Sequence, residues 1–598
     1  SVFTTLPDDD LIGASRDDRT FIRIMQDNVC TTADGHLQLP LPLKGKVMPD
    51  NKMPVFYRTR TTLKRLEAHP ERMTSCIESM QKSINSGFIE QVPLQEIETK
   101  PGSAWYLPIF CVQNAKKNKV RPVYDGSARY NNISLNDNLY QGPDLTNHLR
   151  GVLIRFRENP VAIGADIEAM FNNFKVPLEH RDYPRFWWYK DNDISQPLVV
   201  YRYTCHIFGL SSSPSVCNFG LKYSAASNQD GKYISTRKYV NNSFYVDDGI
   251  ASFKNDDDAI TTLKNTIEIL KNNHLRLHKI ISNSQTVLEQ FPASEIAMNR
   301  ESLQLHESSM QRTLGVSWDT SSDSFIMSIN LPLRPYTKRG VLAVINSIYD
   351  PIGLVSPVTL TGRLIQRDLL PPKNSNRDIE VLNWDDELPQ LYKEKWDSWK
   401  ATLAHLDQVT VPRCICPSPN DTVRKELHVY CDASEKAIGY VAYMRTVTSE
   451  ASIHVAFVSS ASKVSPRSAT TMPRLELNAA YEAAIATTYV TRELDGKPDT
   501  IFMYSDSKIV LGYLSNTTRR FTKYVERRVA IILNHTSIEN WSYVKTKDNP
   551  ADIATRGMDP SALMTSRWFD GPEILWSSNQ ESRHEIGIDA NHDNLPEE

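Results

Sequence analysis

The chain has 598 residues, of which 40% are hydrophobic and 23% charged, and its formal net charge is −3. That length exceeds a single hydrophobic core and implies about three to five domains of ordinary globular composition. The near-neutral balance excludes a uniformly basic nucleic-acid binder, so any basic channel must be local and offset by acidic regions. No apolar run reaches membrane-spanning length, and no signal peptide is visible. Eight cysteines are scattered along the chain; Cys414 and Cys416 are the one close pair, no second pair completes a zinc site, and reduced thiols in a cytosolic setting fit best. The first residue is Ser1 rather than Met, which reads as an engineered piece or one released by proteolysis from a longer precursor.

In chain order, residues 1 to about 50 read as acidic, polar and irregular, with Asp8-Asp9-Asp10 and Arg16-Asp17-Asp18-Arg19. From Tyr57 to Ile89 the spacing of Leu63, Leu66, Met73, Ile77, Met80 and Ile84 predicts a helix, with Gly87 as its stop. A β-rich block runs from Ala104 to about Asp125, and strand, helix and hairpin signals then alternate to about Phe325. Within them the apolar run Val161-Ala162-Ile163-Gly164-Ala165 ends in Asp166, which puts a carboxylate at the rim of a sheet. Tyr245-Val246-Asp247-Asp248-Gly249 reads as a strand, a tight turn and a return strand with both carboxylates at the tip. Residues 338–370 read as helical with a break at Asp350-Pro351-Ile352-Gly353. After the polar break Pro371-Pro372-Lys373-Asn374-Ser375-Asn376 comes a Trp-rich helical stretch. The break Cys416-Pro417-Ser418-Pro419-Asn420-Asp421 opens a last unit that begins with alternating strands and ends near Trp576. The acidic, polar tail from Ser577 is expected to be disordered, and no internal repeat is visible.

Adjacent carboxylates repel, and a divalent cation is the usual way to hold them together; a solvated turn is the plain alternative for an isolated Asp-Asp. If the strand ending at Asp166 lies beside the hairpin, three carboxylates converge on a place for two Mg²⁺ ions, an arrangement suited to in-line attack on a phosphoryl centre. Hard oxygen ligands without imidazole favour Mg²⁺ over Zn²⁺.

The order Asp166-Ile167-Glu168-Ala169-Met170-Phe171, Phe208-Gly209-Leu210-Ser211-Ser212-Ser213-Pro214 and Tyr245-Val246-Asp247-Asp248 resembles motifs A, B and C of reverse transcriptases. The nearer resemblance is to the Pao/BEL family of long-terminal-repeat retrotransposons. It shows in Asp125-Gly126-Ser127-Ala128, in Ser134-Leu135-Asn136-Asp137-Asn138-Leu139-Tyr140-Gln141-Gly142-Pro143-Asp144-Leu145 and in Ser347-Ile348-Tyr349-Asp350-Pro351-Ile352-Gly353-Leu354, and it runs from about residue 10 to residue 576.

The resemblance implies a mixed α/β and α+β multidomain protein with a right-hand polymerase. Its expected parts are an N-terminal extension (1–55), fingers with part of the palm (56–160), palm with a second fingers insertion (161–330), thumb (331–372), connection (373–422), ribonuclease H (423–576) and a tail (577–598). It implies that Asp166, Asp247 and Asp248, with the Ile167 carbonyl, hold the polymerase metals. Arg121, in Val120-Arg121-Pro122-Val123-Tyr124-Asp125, would grip the triphosphate through its planar fork. Phe171 would lie beneath the sugar and select deoxynucleotides, although a plain core Phe fits the same composition. Gly209, Ser213 and Pro214 would shape the floor under the template base, Lys279 is a candidate proton donor to pyrophosphate or a solvated surface Lys, and Leu314, Gly315 and Val316 resemble the primer grip. The resemblance also counts Phe208 and Gly209 among the nucleotide-binding residues. Two features depart from the retroviral pattern: Phe208 stands where many relatives have Gln, and Gln113-Asn114 where they have a triphosphate-binding Lys, a role left to Lys116, Lys117 or Lys119.

A second set of acids lies further on. Leu427, Val429 and Cys431 alternate with His428, Tyr430 and Asp432, and Ile501, Met503 and Ser505 with Phe502, Tyr504 and Asp506, so each strand ends in an Asp on one parity. Pro473 opens a helix, capped by Thr470 or Thr471, with Glu476 near its start, and Asp548-Asn549-Pro550-Ala551-Asp552 is a turn into another helix. Asp432, Glu476, Asp506 and Asp552 in that order resemble the four metal-binding acids of the ribonuclease H fold, which implies two-metal hydrolysis of RNA in a hybrid. A His often found before the last acid is replaced here by Tyr543, Lys545 and Lys547.

The expected cofactors are two Mg²⁺ per site, with Mn²⁺ as a substitute. The expected partners are an RNA template, DNA primer and product, RNA–DNA hybrid, a tRNA-like primer and dNTPs, recognised through phosphates, sugars and groove shape. Lys338, Arg339, Arg363 and Arg367 are read as a thumb wall, Arg181, Arg185, Trp187 and Trp188 as fingers–palm packing, and the Trp384, Trp396 and Trp399 segment as the connection. The resemblance further implies a protease and an integrase in the same polyprotein, no membrane, a cytoplasmic setting in virus-like particles, and admits a dimer. The rival reading is a scaffold that binds nucleic acid without catalysis.

Overall fold

The computed structural model describes residues 13–100, 102–114, 119–297, 303–304, 314–329, 331–370, 382–466, 470–578 and 595–597. The chain forms two compact units from separated stretches: Ser1–Asn147, Asp166–Gly249 and Thr262–His278 make the first, and His148–Ala165, Ile250–Thr261 and Lys279–Glu598 the second. Both mix helices with sheets.

In the first unit a helix covers Arg16–Asn28, where the sequence reading expected irregular chain. The Ser15 hydroxyl accepts from the Asp18 N–H at 3.0 Å while the Asp18 carboxylate accepts from the Ser15 N–H at 2.9 Å, so part of the acidic cluster is a reciprocal helix cap. Only Phe21 and Met25 of this helix are buried, a stripe too narrow to stand out from its polar composition. The single helix expected over 57–89 is two helices, Lys52–Glu67 and Pro70–Asn85, followed by a strand from Ile89. Pro70 cannot donate to a preceding turn, so the chain breaks at Ala68-His69 and Pro70 starts the next helix. The β-rich block contains the hairpin of Ile109–Asn114 with Lys119–Tyr124, in which Val112 faces Arg121.

A three-stranded antiparallel sheet orders Ile89–Gln91, Leu198–Tyr203 and Arg185–Tyr189. The core beside it contains Trp105, Leu107, Tyr124, Phe186 and Trp188. Arg185 is fully buried and donates to Asp182 and to the carbonyls of Glu96 and Ile97. A four-stranded sheet orders Leu277–Ser282, Val161–Ile167, Asp248–Phe253 and Phe244–Tyr245. The ends that bear Asp166, Asp248 and His278 belong to the first unit.

The second unit is built on a five-stranded sheet ordered Ile453–Val464, Ala437–Thr448, Thr422–Ala433, Thr500–Ser505 and Trp541–Tyr543. The first three strands are antiparallel, and the last two join in parallel. The alternation read over 427–432 does not become alternating burial: every residue from Leu427 to Asp432 is buried. The strand is central in its sheet and helices pack on it, so neither parity reaches solvent. His428 is wholly buried, stacked on Phe502 and Tyr504, with its Nε2 3.2 Å from Glu426, which also accepts from Arg445 at 2.9 Å.

The helices Lys338–Ser347 and Ser356–Asp368 flank the expected break. There Asp350 accepts from the N–H groups of Leu354 and Val355 at 2.8 and 2.7 Å, while burial pushes its carboxyl up to about 6. Gly353 has φ +78°, and a Cβ there would run into the Ser460 carbonyl oxygen. Arg413, 0% exposed, holds Asp323 through two bonds of 2.6 and 2.8 Å and donates to the carbonyls of Phe156, Asn159 and Pro160. Trp396 and Trp399 are buried and paired, while Trp384 is exposed. Residues 579–594 lie outside the described residues, but Leu595–Glu597 do not fit the expected disordered tail: Leu595 is buried, and Glu597 accepts two bonds from Arg474 at 2.5 and 2.9 Å. All eight cysteines carry free thiols. No helix among the described residues is long and apolar enough to cross a membrane.

Candidate active sites

Asp166 is the penultimate residue of the strand Val161–Ile167 and is half-buried. The Ile167 N–H donates to the Asp247 carbonyl at 3.0 Å, and the Glu168 N–H to the Arg276 carbonyl at 2.9 Å. Backbone bonds therefore tie the Asp166 strand end to the turn that carries Asp247 and Asp248. Tyr245 pairs with Asp248, leaving Val246-Asp247 as a two-residue turn. Val246 takes φ +60°, a conformation that a β-branched residue seldom adopts. Gly249 follows because a Cβ there would meet the Phe244 ring and the Tyr239 hydroxyl, which donates to the Gly249 carbonyl at 2.9 Å.

The sequence reading singled out Lys279 near this site. Two of its neighbours reach the acidic strand end: His278 Nε2 lies 3.4 Å from Asp166, and Arg276 pairs with Glu168 at 2.9 Å. Lys279 is exposed, has φ +52° and falls in the second unit. Arg121 is exposed on its strand. Phe171 is buried against the exposed ring of Phe208, and Gly209, at φ +103°, abuts the Tyr124 carbonyl. Ser213 and Pro214 open the helix Ser213–Ala226. Lys116 and Lys117 lie outside the described residues, as do the side chains of Gln113, Asn114, Lys119, Leu314 and Gly315. Val316 is buried in the strand Leu314–Asp319.

In the second unit the parallel register pairs Cys431 with Ser505, which sets Asp432 and Asp506, the next residues, side by side at the ends of their strands. Glu476 lies in the first turns of the helix Met472–Glu493, and Asp552 in the helix Ala551–Arg556. Asn549 ties that last turn to the sheet by donating to the Cys431 carbonyl at 3.0 Å. The acids feel one another. Burial pushes the Asp432 carboxyl up to about 7, against the Thr555 hydrogen bond and with the charges of Asp506 and Asp552 adding to the rise. Burial and then Asp506 raise Glu476, against the Ser507 hydrogen bond. Burial raises the Cys431 thiol, and Asp506, Asp432 and Glu476 raise it further.

Four positioning groups escaped the sequence reading. The Thr555 hydroxyl donates to Asp432, the Ser507 hydroxyl donates to Glu476, Arg556 pairs with Asp552 at 2.7 Å, and His278 faces Asp166. Thr555 stands one helical turn after Asp552 and Ser507 directly follows Asp506, so spacing from the acids was the available signal. Tyr543 lies under the Lys508 amine at 5.4 Å, and Lys545 and Lys547 are exposed. The thumb wall needs correction at Lys338, which is buried with its amine donating to the Leu382 carbonyl at 2.6 Å. Arg363 is likewise committed to the Ser462 carbonyl at 2.9 Å, whereas Arg339 is exposed and paired with Asp385.

Both acidic sets offer hard carboxylate oxygens, the donor chemistry of Mg²⁺ and Mn²⁺, and a divalent cation would offset both the burial that raises Asp432 and the smaller repulsion from Asp506 and Asp552. Among the described residues no group of three or more His, Cys, Asp or Glu is spaced to hold a metal ion as it stands.

Residues 337–507 match the family model described as Pao retrotransposon-like RNaseH-like domain, a stretch that contains Asp432, Glu476 and Asp506 and ends before Asp552. No curated protein matches. Many solved structures resemble the chain, among them three foamy viral ones. The foamy viral protease-reverse transcriptase dRH in complex with double-stranded DNA is 13% identical, with a TM-score of 0.49 over 79% of this chain and 70% of that one. The foamy viral protease-reverse transcriptase with an RNA/DNA hybrid is 12% identical, with a TM-score of 0.45 over 85% of this chain and 55% of that one. The same protein with double-stranded DNA is 14% identical, with a TM-score of 0.45 over 79% of this chain and 83% of that one.

Proposed function

We propose that this chain is a reverse transcriptase with a fused ribonuclease H from a Pao/BEL-like retrotransposon, which copies RNA into DNA and cuts the copied RNA strand. The observation that carries the reading is the gathering of Asp432, Glu476, Asp506 and Asp552 around two parallel strand ends, in a stretch whose larger part matches the Pao ribonuclease-H-like family. The hairpin that ties Asp247 to the Asp166 strand end supports the polymerase half.

In this reading Asp166, Asp247, Asp248 and the Ile167 carbonyl would hold Mg²⁺ in one site, and the later four acids in the other. Bound there, Mg²⁺ would acidify the attacking hydroxyl or water and stabilise the leaving oxygens. The chain's own part is positioning. Thr555 and Ser507 each donate a hydroxyl hydrogen to one carboxylate oxygen, fixing the rotamers of Asp432 and Glu476. Arg121 projects from the hairpin as a guanidinium suited to a triphosphate. The RNA template, DNA primer, tRNA-like primer, dNTPs, polyprotein neighbours and setting in virus-like particles belong to the same proposal.

The test is primer extension on a labelled RNA template with Mg²⁺, which reports synthesis and cutting in one tube. Asp248→Asn is expected to abolish extension and leave cutting, and Asp506→Asn the reverse. Loss of both activities in either variant counts against two sites, and a wild-type chain inactive in both supports the scaffold reading.

A further inference from the structure

The segment Leu595–Glu597 docks in the second unit, beside the later set of acids. Leu595 is only 7% exposed. The Tyr513 hydroxyl donates to the Pro596 carbonyl at 2.9 Å, and the Thr522 N–H to the Glu597 carbonyl at 3.0 Å. The Glu597 carboxylate accepts two bonds from Arg474, at 2.5 and 2.9 Å, and one from the Thr522 hydroxyl at 2.8 Å.

These partners belong to the elements that carry the acids. Arg474 lies in the first turn of the helix Met472–Glu493, two residues before Glu476. Tyr513 lies on the helix Lys508–Ser515, whose N-cap is Ser507, the residue that donates to Glu476. Burial first, and then the charges of Glu597 and Glu476, push the Tyr513 hydroxyl up to about 12, so the segment and the acid set share one neighbourhood.

The contact has the chemistry of an anion site. Thr522 is the N-cap of the helix Lys523–His535, yet its hydroxyl makes no capping bond to that helix and is spent on Glu597. Two helices therefore begin at this carboxylate, and both dipoles favour negative charge there. The Tyr524 ring lies 4.4 Å from the Arg474 guanidinium, and Asn478 donates to the Tyr524 hydroxyl at 2.8 Å, which aims the fork. Arg528 lies 3.6 Å from the same ring. A guanidinium fork, a hydroxyl and two helix starts hold a backbone phosphate by the same bonds that hold a carboxylate.

We infer that Leu595-Pro596-Glu597 is an autoinhibitory strap, whose Glu597 carboxylate occupies an anion site at Arg474 and Thr522 that a backbone phosphate of a strand entering the later acid set takes when the strap lets go. This rests on the ribonuclease reading. Strap and phosphate compete for one fork, so the apparent affinity for nucleic acid falls with the fraction of molecules whose strap is open. Attachment to the same chain lets a few contacts close the strap. Arg474 keeps 38% of its side chain exposed, so water screens the pair and a phosphate can displace it.

The experiment uses the full chain and a labelled RNA–DNA hybrid with Mg²⁺, measuring KM and kcat for RNA cutting. Glu597→Gln is expected to lower KM by about three- to tenfold and leave kcat unchanged, the scale of one charge-assisted contact partly screened by water. Leu595→Asp, which undocks the strap by another route, is expected to do the same. In an Arg474→Gln background, Glu597→Gln is expected to lower KM no further, because the strap acts through that guanidinium. Thermal unfolding followed by circular dichroism reports folding of each variant. A KM that stays level or rises in Glu597→Gln and Leu595→Asp, or a kcat that falls with it, makes the segment a structural brace; with a wild type that cuts RNA, this overturns the strap and leaves the ribonuclease reading intact. A folded wild type and folded variants that all leave the hybrid uncut overturn both.

Discussion

Removing the charge of Asp432 should make the metal-free protein more stable. Its carboxyl is pushed from 3.8 up to about 7, first by burial and then by Asp506 and Asp552, so the folded chain keeps a proton that the unfolded chain has released across that window. Below pH 3.8 both states are protonated and the site is neutral toward folding. As pH rises toward 7 the folded state binds more protons than the unfolded one, and stability therefore falls until both are ionised. At about 1.4 kcal/mol per pH unit the full cost is at most about 4 kcal/mol. Asp432→Asn removes the charge while its amide oxygen still accepts from Thr555. In chelator at pH 8 the variant is expected to exceed the wild type by up to about 4 kcal/mol, or roughly 8 °C in the unfolding midpoint of this large unit. At pH 4 the two should coincide, and Mg²⁺ at pH 8 should stabilise the wild type more than the variant. Thermal unfolding followed by circular dichroism at several pH values measures each difference. Equal pH slopes for the two proteins, or a variant less stable at pH 8, would refute the claim that these acids crowd a buried carboxylate.

Two further outcomes follow from the packing. Val246→Gly relieves the left-handed turn and should raise stability by up to about 1 kcal/mol while lowering DNA synthesis, because the turn that aims Asp247 and Asp248 gains freedom; a clear loss of stability would show that Val246 carries packing and not strain. Arg413→Met strands Asp323 and three backbone carbonyls and should cost about 3–5 kcal/mol in urea unfolding, and a cost below about 1 kcal/mol would mean that water replaces the guanidinium.

Chemistry-bearing segments were more legible than their surroundings. The turn at Asp247-Asp248 and the strand that ends near Asp166 are local features, written in short runs of apolar residues and a following Gly, and the structure has both. The break between Lys338–Ser347 and Ser356–Asp368 was announced by Asp350-Pro351 and Gly353. Periodicity alone missed the stop before Pro70, because the apolar spacing continues through it. The helix at Arg16–Asn28 was hidden by charge, since the acids that suggested loop include its cap. Alternation over 427–432 put Asp432 and Asp506 on one parity of their strands, which the parallel register agrees with, but it did not reveal that both faces of the strand are buried, because burial depends on what packs against each face.

Residue type and order by themselves determined which acids are candidates and which turns and strand ends carry them, since carboxylate chemistry and chain reversal depend on a few neighbouring residues. Tertiary structure alone decided what stands beside each acid: His278 at Asp166, Thr555 at Asp432, Ser507 at Glu476, and the Phe208 ring over Phe171. Those partners meet only when strands pair in one register and helices dock on them, and the free energy that selects the register comes from burial across the whole sheet, which no short window of sequence contains.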